Sequence, residues 1–168
     1  MLDQQLSFQV GDQVIHWNYG PGVILRLDVK ELSGNSCQYY VVKMNDLMLW
    51  VPVSEDNSGC LRLPTPAKDF QQLFRILTSP GEPLPSDRYE RKTFLTERFK
   101  ERNLASICRV IRDLTIYKRT KKLNDNDVTI LDRSKNFLIN EWSIALSVSI
   151  QQAQQELDEM ISEVNLSH

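Results

Sequence analysis

Positive charge is the most concentrated chemical feature of this sequence. Residues 86–122 hold 12 Lys and Arg against 5 Asp and Glu, a net of +7, while residues 1–85 carry a net of −3 and residues 123–168 a net of −6. The block reads DRYERKTFLTERFKER and then CRVIRDLTIYKRTKK. Helical periodicity sets Arg109, Arg112 and Arg119 in a narrow arc of the second stretch, opposite Leu104, Ile107, Ile111 and Leu114. That helix then ends in Lys118, Arg119, Lys121 and Lys122, while Arg91 and Lys92 follow Arg88 within one turn. So much positive charge suits contact with a phosphate backbone. No base-reading pattern accompanies it, so such contact is expected to be largely independent of sequence. Cations in a last turn also suit the helix dipole, and a solvated face with interleaved acids is the plain alternative.

Other chemistry has little material. Cys37, Cys60 and Cys108 lack metal-like spacing, and the two histidines, His16 and His168, lie at opposite ends of the chain. Neither a disulfide framework nor a zinc site is expected. Pairs such as Glu97 with Glu101 and Glu156 with Glu159 sit on polar helix faces and read as solvated charges. With no nucleophile–base constellation the chain is not expected to be an enzyme, and neither a cofactor nor a small-molecule substrate is expected. Gly20-Pro21-Gly22 leads into β residues rather than a helix, so it reads as a turn, with Gly20 and Gly22 free to take positive φ and Pro21 fixing the bend.

A third stretch, YYVVKMNDLMLWVPV, has strand periodicity. Met48 and Trp50 alternate with Leu47, Leu49 and Val51, so one set faces a core and the other faces out. An outward Met–Trp pair suits a protein-binding surface, since a sheet edge can accept another strand; burial of both faces is the alternative.

Two halves must position these residues. The first is β: DQVIHW, GVILRLDV, CQYYVVKM and LMLWVPV, with a short strand near CLRL after SEDNSG. Strands of this length and spacing predict a small antiparallel barrel of the SH3-like or Tudor-like kind over residues 1–64. The second, residues 65–168, is α: a compact bundle of about five helices, making the chain α+β in two domains. Its stripes are Phe70, Leu73, Phe74 and Leu77; Leu104 to Leu114; Leu131, Leu138, Trp142 and Ala145; and Ile150, Ala153, Leu157, Ile161 and Val164. Asn124 is the expected N-cap of the fourth helix. The composition, 41% hydrophobic and 25% charged, is that of a soluble globular chain. No apolar run is long enough to span a bilayer, and MLDQQLSFQV lacks the regions of a signal peptide, so the cytosol is the expected compartment.

Taken in order, FQVGDQV at Phe8 to Val14, the aromatic-Gly-x-Gly at Tyr19 to Gly22, and YYVVKMNDLMLWVPV resemble the start of CarD/CdnL-family bacterial transcription regulators. The transcription-repair coupling factor carries a similar module. In the second half RILTSPGEP, Arg88-Tyr89, VIRDL at Val110 to Leu114 and LINEWSIA at Leu138 to Ala145 resemble the same family's helical domain. The resemblance implies a Tudor-like barrel that pairs a strand with the RNA polymerase β-subunit lobe. It also implies a helical domain that meets promoter DNA at the upstream edge of the bubble and stabilises the open complex. Two family arginines that contact the polymerase fall at Lys30 and Trp50, which with Met48 become the expected polymerase-binding residues. Family members carry a wedge tryptophan before the Arg-Tyr pair; here EPLPSDRY sets Pro85 or Ser86 there, and Asp87 replaces a basic residue. The expected DNA contacts are thus Pro85, Arg88, Arg91, Lys92, Arg109, Arg112, Lys118, Arg119, Lys121 and Lys122. The alternative is a diverged paralogue that acts mainly as a protein-interaction module.

Overall fold

The computed structural model describes residues 6–53 and 60–163. The SEDNSG turn and Val164 therefore lie outside the described residues. The chain divides into two compact units, Met1–Pro64 and Thr65–His168.

The first unit is an antiparallel sheet of the Tudor-like kind: β1 (Gln13–His16), β2 (Gly20–Leu32), β3 (Asn35–Lys43), β4 (Met48–Pro52) and β5 (Leu61–Arg62), in the order β4-β3-β2-β1-β5. Val14, Ile24, Tyr40, Val42, Met44, Val51 and Leu61 form its core. The β2–β3 hairpin closes through Ser33 and Gly34, both at positive φ (53° and 80°), as a tight two-residue hairpin turn requires.

The Gly-Pro-Gly departs from expectation. The chain turns at Trp17–Tyr19, and Gly20, Pro21 and Gly22 already pair with His16, Ile15 and Val14 as the start of β2. Only Gly20 has positive φ (85°). Gly22 is needed for another reason: a Cβ there would stand 2.7 Å from Val42 Cγ1 and 3.0 Å from the Lys43 carbonyl oxygen. The bond from Ile24 N to Asp12 O sets the ladder's phase, so the N–H that Pro21 lacks would point away from β1. The turn is organised by His16, whose Nδ1 accepts from the backbone N–H groups of Asn18 and Tyr19 at 3.1 and 3.3 Å.

The second unit holds α1 (Phe70–Thr78), α2 (Arg88–Lys100), α3 (Leu104–Thr120), α4 (Asp125–Leu146) and α5 (Ile150–Ser162). Four of them start on side-chain N-caps, Asp87, Asn103, Asn124 and Ser149; Asn124 forms a full capping box with Asp127. Asp87 thus has a local role: its carboxylate accepts from the N–H groups of Tyr89 and Glu90. The expected stripes converge on one core around Phe70, Leu77, Leu95, Ile111, Leu138, Trp142 and Leu157. Ile150 is the departure; as the first residue of α5 it is 53% exposed. Among the described residues no helix is long and apolar enough to cross a membrane.

Candidate functional site

Each unit carries candidate residues, and the two sets differ in how they are held. In the first unit β4 is, among the described residues, an edge strand, bonded to β3 on one side. Its burial alternates: Met48 and Trp50 are exposed, while Val51 is buried. The bonds Val53 N to Gln38 O and Met44 N to Leu47 O fix which residues of β4 bond inward to β3. By alternation, Met48 and Trp50 lie at non-bonded pairs, opposite Lys43 and Val41, so their backbone N–H and C=O point to the open edge. Side chains for recognition and backbone groups for strand addition therefore belong to the same residues.

Trp50 is built into a small cluster. Lys30 Nζ lies 4.5 Å from the centre of its indole, within cation–π range. The Trp50 Nε1–H donates to Asp28 Oδ2 at 3.1 Å. That bond holds the Asp28 carboxyl below its usual value of 3.8, with smaller help from the Val29 N–H and from Arg26 and Lys30 and some opposition from desolvation. The three expected polymerase-binding residues are thus all exposed, and Lys30 and Trp50 are in contact. Asp28 was missed, although it stands two residues from Lys30 and so shares its face.

In the second unit the first turn of α2 meets the last turn of α3, since Arg91 Nη1 donates to the Tyr117 hydroxyl at 3.0 Å. Arg88, Lys92, Lys118, Lys121 and Lys122 are exposed around this end, together with the acids Asp87, Glu90 and Asp125. Arg88 lies over the ring of Tyr89, 4.7 Å from its centre, and donates to its hydroxyl. Tyr89 itself is 65% exposed, a second residue that the charge pattern missed. Half-buried Pro85 precedes it in the α1–α2 loop. Glu82, Pro83 and Leu84 of that loop, with Ile116, Tyr117, Thr120 and Lys121, line a cleft of about 160 Å³ at the same end.

Several expected contacts are placed elsewhere. Arg112 is buried: it donates to Asp113 through Nε at 2.9 Å and to Ser79 Oγ through Nη1, so it closes the end of α1 rather than facing solvent. Asp113, fully enclosed, also binds Arg98 at 2.8 Å and accepts from the Glu82 N–H at 2.9 Å. Arg91 is buried too, forked onto Asp127, which with Tyr117 keeps its guanidinium firmly charged. Arg119 donates to the carbonyls of Ile161 and Ser162, closing the C-terminal end of α5. Arg109 is half-buried, about 12 Å along the axis from Tyr117. The expected arc is broken because α3 packs against other helices nearly all round, and a buried guanidinium needs a carboxylate. The exposed set shrinks to Arg88, Lys92, Lys118, Lys121 and Lys122, with Arg119 exposed but engaged. Cys108 is buried and its thiol pushed up to about 12, which makes it inert. Among the described residues no group of His, Cys, Asp and Glu could hold a metal.

Comparison with known proteins agrees with this architecture. Residues 8–62 match the CarD-like/TRCF RID domain, and residues 72–158 match the CarD C-terminal domain. The "Putative transcription factor YdeB" of Bacillus subtilis strain 168 is 28% identical over 151 residues, covering 86% of this chain and 96% of that protein. With both units matched in order, the chain belongs to the CarD family of transcription factors.

Proposed function

We propose that the protein binds RNA polymerase through the open edge of β4, on the β-subunit lobe, and contacts promoter DNA through the exposed cations of the helical unit. The outcome is a longer-lived open complex, reached without a defined DNA sequence. The observation that carries this reading is the open edge of β4, where exposed Met48 and Trp50 also turn their backbone groups outward. A strand with that arrangement suits addition of a partner strand, with Lys30 and Trp50 reading its side chains. The cations at the α2–α3 end, beside Pro85 and Tyr89, suit phosphates and an unpaired base. On this reading the protein works in the cytoplasm, beside the polymerase.

A second reading has its own support. Arg91 and Arg112 are buried in ion pairs and Arg119 is bonded to α5, which thins the DNA face. It would favour a protein-interaction module with little DNA role. One experiment separates the two: open-complex lifetime with the cognate polymerase, for wild type and for a Lys118, Lys121 and Lys122→Gln triple variant. The first reading expects wild type to lengthen the lifetime and the variant to lose most of that gain. It also expects the salt slope to fall by about 0.9 for each phosphate that the variant no longer neutralises. A variant equal to wild type would favour the second reading. A wild type with no effect, and no retention by the β-lobe, would overturn the first.

A further inference from the structure

The α1–α2 loop, residues 79–87, is anchored at several points. Gly81 is pressed so close to Ile116 that a Cβ would stand 2.1 Å from its Cδ1. The Glu82 N–H is held by Asp113, and the carbonyls of Pro85 and Ser86 accept from Arg91 Nη1 at 3.2 and 3.1 Å. The last anchor concerns the residues proposed to meet DNA.

We propose that Arg91 and Asp127 are a positioning pair: they set the shape of the Pro85–Tyr89 segment, and neither touches DNA. This deepens the DNA reading above and rests on it. Arg91 is 4% exposed and Asp127 is 1% exposed. Each guanidinium nitrogen has an acceptor. Nε bonds both Asp127 oxygens at 3.0 and 3.2 Å, Nη2 bonds Oδ2 at 2.9 Å, and Nη1 is shared by Pro85, Ser86 and Tyr117. Asp127 also accepts from the Asn124 N–H in the capping box, so the start of α4 is registered to the start of α2. The planar fork is what joins these partners; an ammonium has the charge but not the geometry.

The test uses the full-length protein and a fluorescein-labelled duplex with a central unpaired bubble, titrated at several salt concentrations. If Arg91 touched phosphate, Arg91→Lys would retain affinity and Arg91→Ala would lower the salt slope by about 0.9. As a positioning residue, Arg91→Lys weakens binding about tenfold with the slope unchanged. Asp127→Asn is the sharper variant. It removes a negative charge from the DNA-facing end, which alone would strengthen binding, yet here it weakens it. Tyr117→Phe, which deletes one acceptor and no charge, gives a smaller loss in a protein that still folds. Wild-type affinity in Arg91→Lys, or tighter binding in Asp127→Asn, overturns the proposal. If wild type itself does not bind the bubble, the DNA reading fails and amide exchange tests the pair alone. Faster exchange of residues 81–88 in Tyr117→Phe than in a core variant such as Leu157→Ala supports it, and matching patterns in the two overturn it.

Discussion

The two units treat their candidate side chains in opposite ways. In the β unit Lys30, Met48 and Trp50 are all exposed, as strand alternation predicts. In the helical unit an arc of arginines expected on one face is split between surface and core. The reason lies in how many neighbours each element has. A sheet has two faces, so parity decides which side chains see water. Helix α3 buries ten of its residues, including Ser106, Arg112 and Asp113, leaving a narrow strip for solvent. A charge on such a helix is as well placed to lock neighbouring helices together as to bind a ligand. Net charge over a stretch of sequence therefore overstates the surface it makes.

The largest test of that contrast is Asp113→Ala. It leaves Arg112 and Arg98 without their buried carboxylate and the Glu82 N–H without its acceptor. Breaking a buried pair from one side costs about 3–5 kcal/mol. Lys118→Ala, on the same helix but exposed, should stay within about 0.5 kcal/mol. Denaturant unfolding measures both. Equal losses would mean that the buried and exposed charges of α3 do not differ as their surroundings require.

Much of the architecture was legible because it rests on periodicity and caps. The strands, the helical stripes and the Asn124 cap all lie in local sequence, within a few residues of where they were expected. Gly20-Pro21-Gly22 was misread because glycine and proline have two uses. Composition suggests a turn, but at Gly22 the need is room for Val42 and Lys43, residues twenty positions away. Arg91 and Arg112 were expected at the surface and are buried: Asp127, which holds Arg91, is more than thirty residues distant, while Arg112 is held by its neighbour Asp113 and reaches back to Ser79 of the distant α1 end. Tyr89 could have been found as an aromatic beside Arg88 in the first turn of a polar helix. Asp28 could have been found from its parity with Lys30.

On the β side the comparison predicts a loss of binding with little loss of fold. Trp50→Ala removes the indole that Lys30 covers and Asp28 holds, on a strand whose other face packs Val51 into the core. Affinity for the isolated β-lobe should fall by about 2 kcal/mol, roughly thirtyfold, as for a central aromatic anchor. The unfolding midpoint should barely move, since Trp50 is 38% exposed. Trp142→Ala is the counterpart on the helical side, where the indole is wholly buried against Phe70 and Phe74. It should cost about 3–5 kcal/mol of stability, and its measured effect on the β-lobe should be small once the protein is kept folded. Loss of β-lobe binding in the second variant but not the first would reverse the assignment of roles.

The smallest effect lies in the same cluster and concerns pH. The bond from the Trp50 indole N–H holds the Asp28 carboxyl below 3.8, so the ionised form is the one that the folded protein favours. A lowered carboxyl contributes above its ordinary value, and the contribution is lost as pH falls through the lowered one. The Trp50–Asp28 contact should therefore be strongest well above the ordinary carboxyl value and weaken as pH falls through the lowered one. The indole N–H resonance of Trp50, followed by NMR during acid titration, should shift with a midpoint under 3.8, and the transition should vanish in Asp28→Asn. The Asp28 side chain is only half-buried, so salt should move the midpoint back toward the ordinary value. A midpoint at or above 3.8 in low salt would show that the indole does not rest on Asp28. The surface proposed to meet the polymerase would then be an unbraced tryptophan rather than one held between an acid and a lysine.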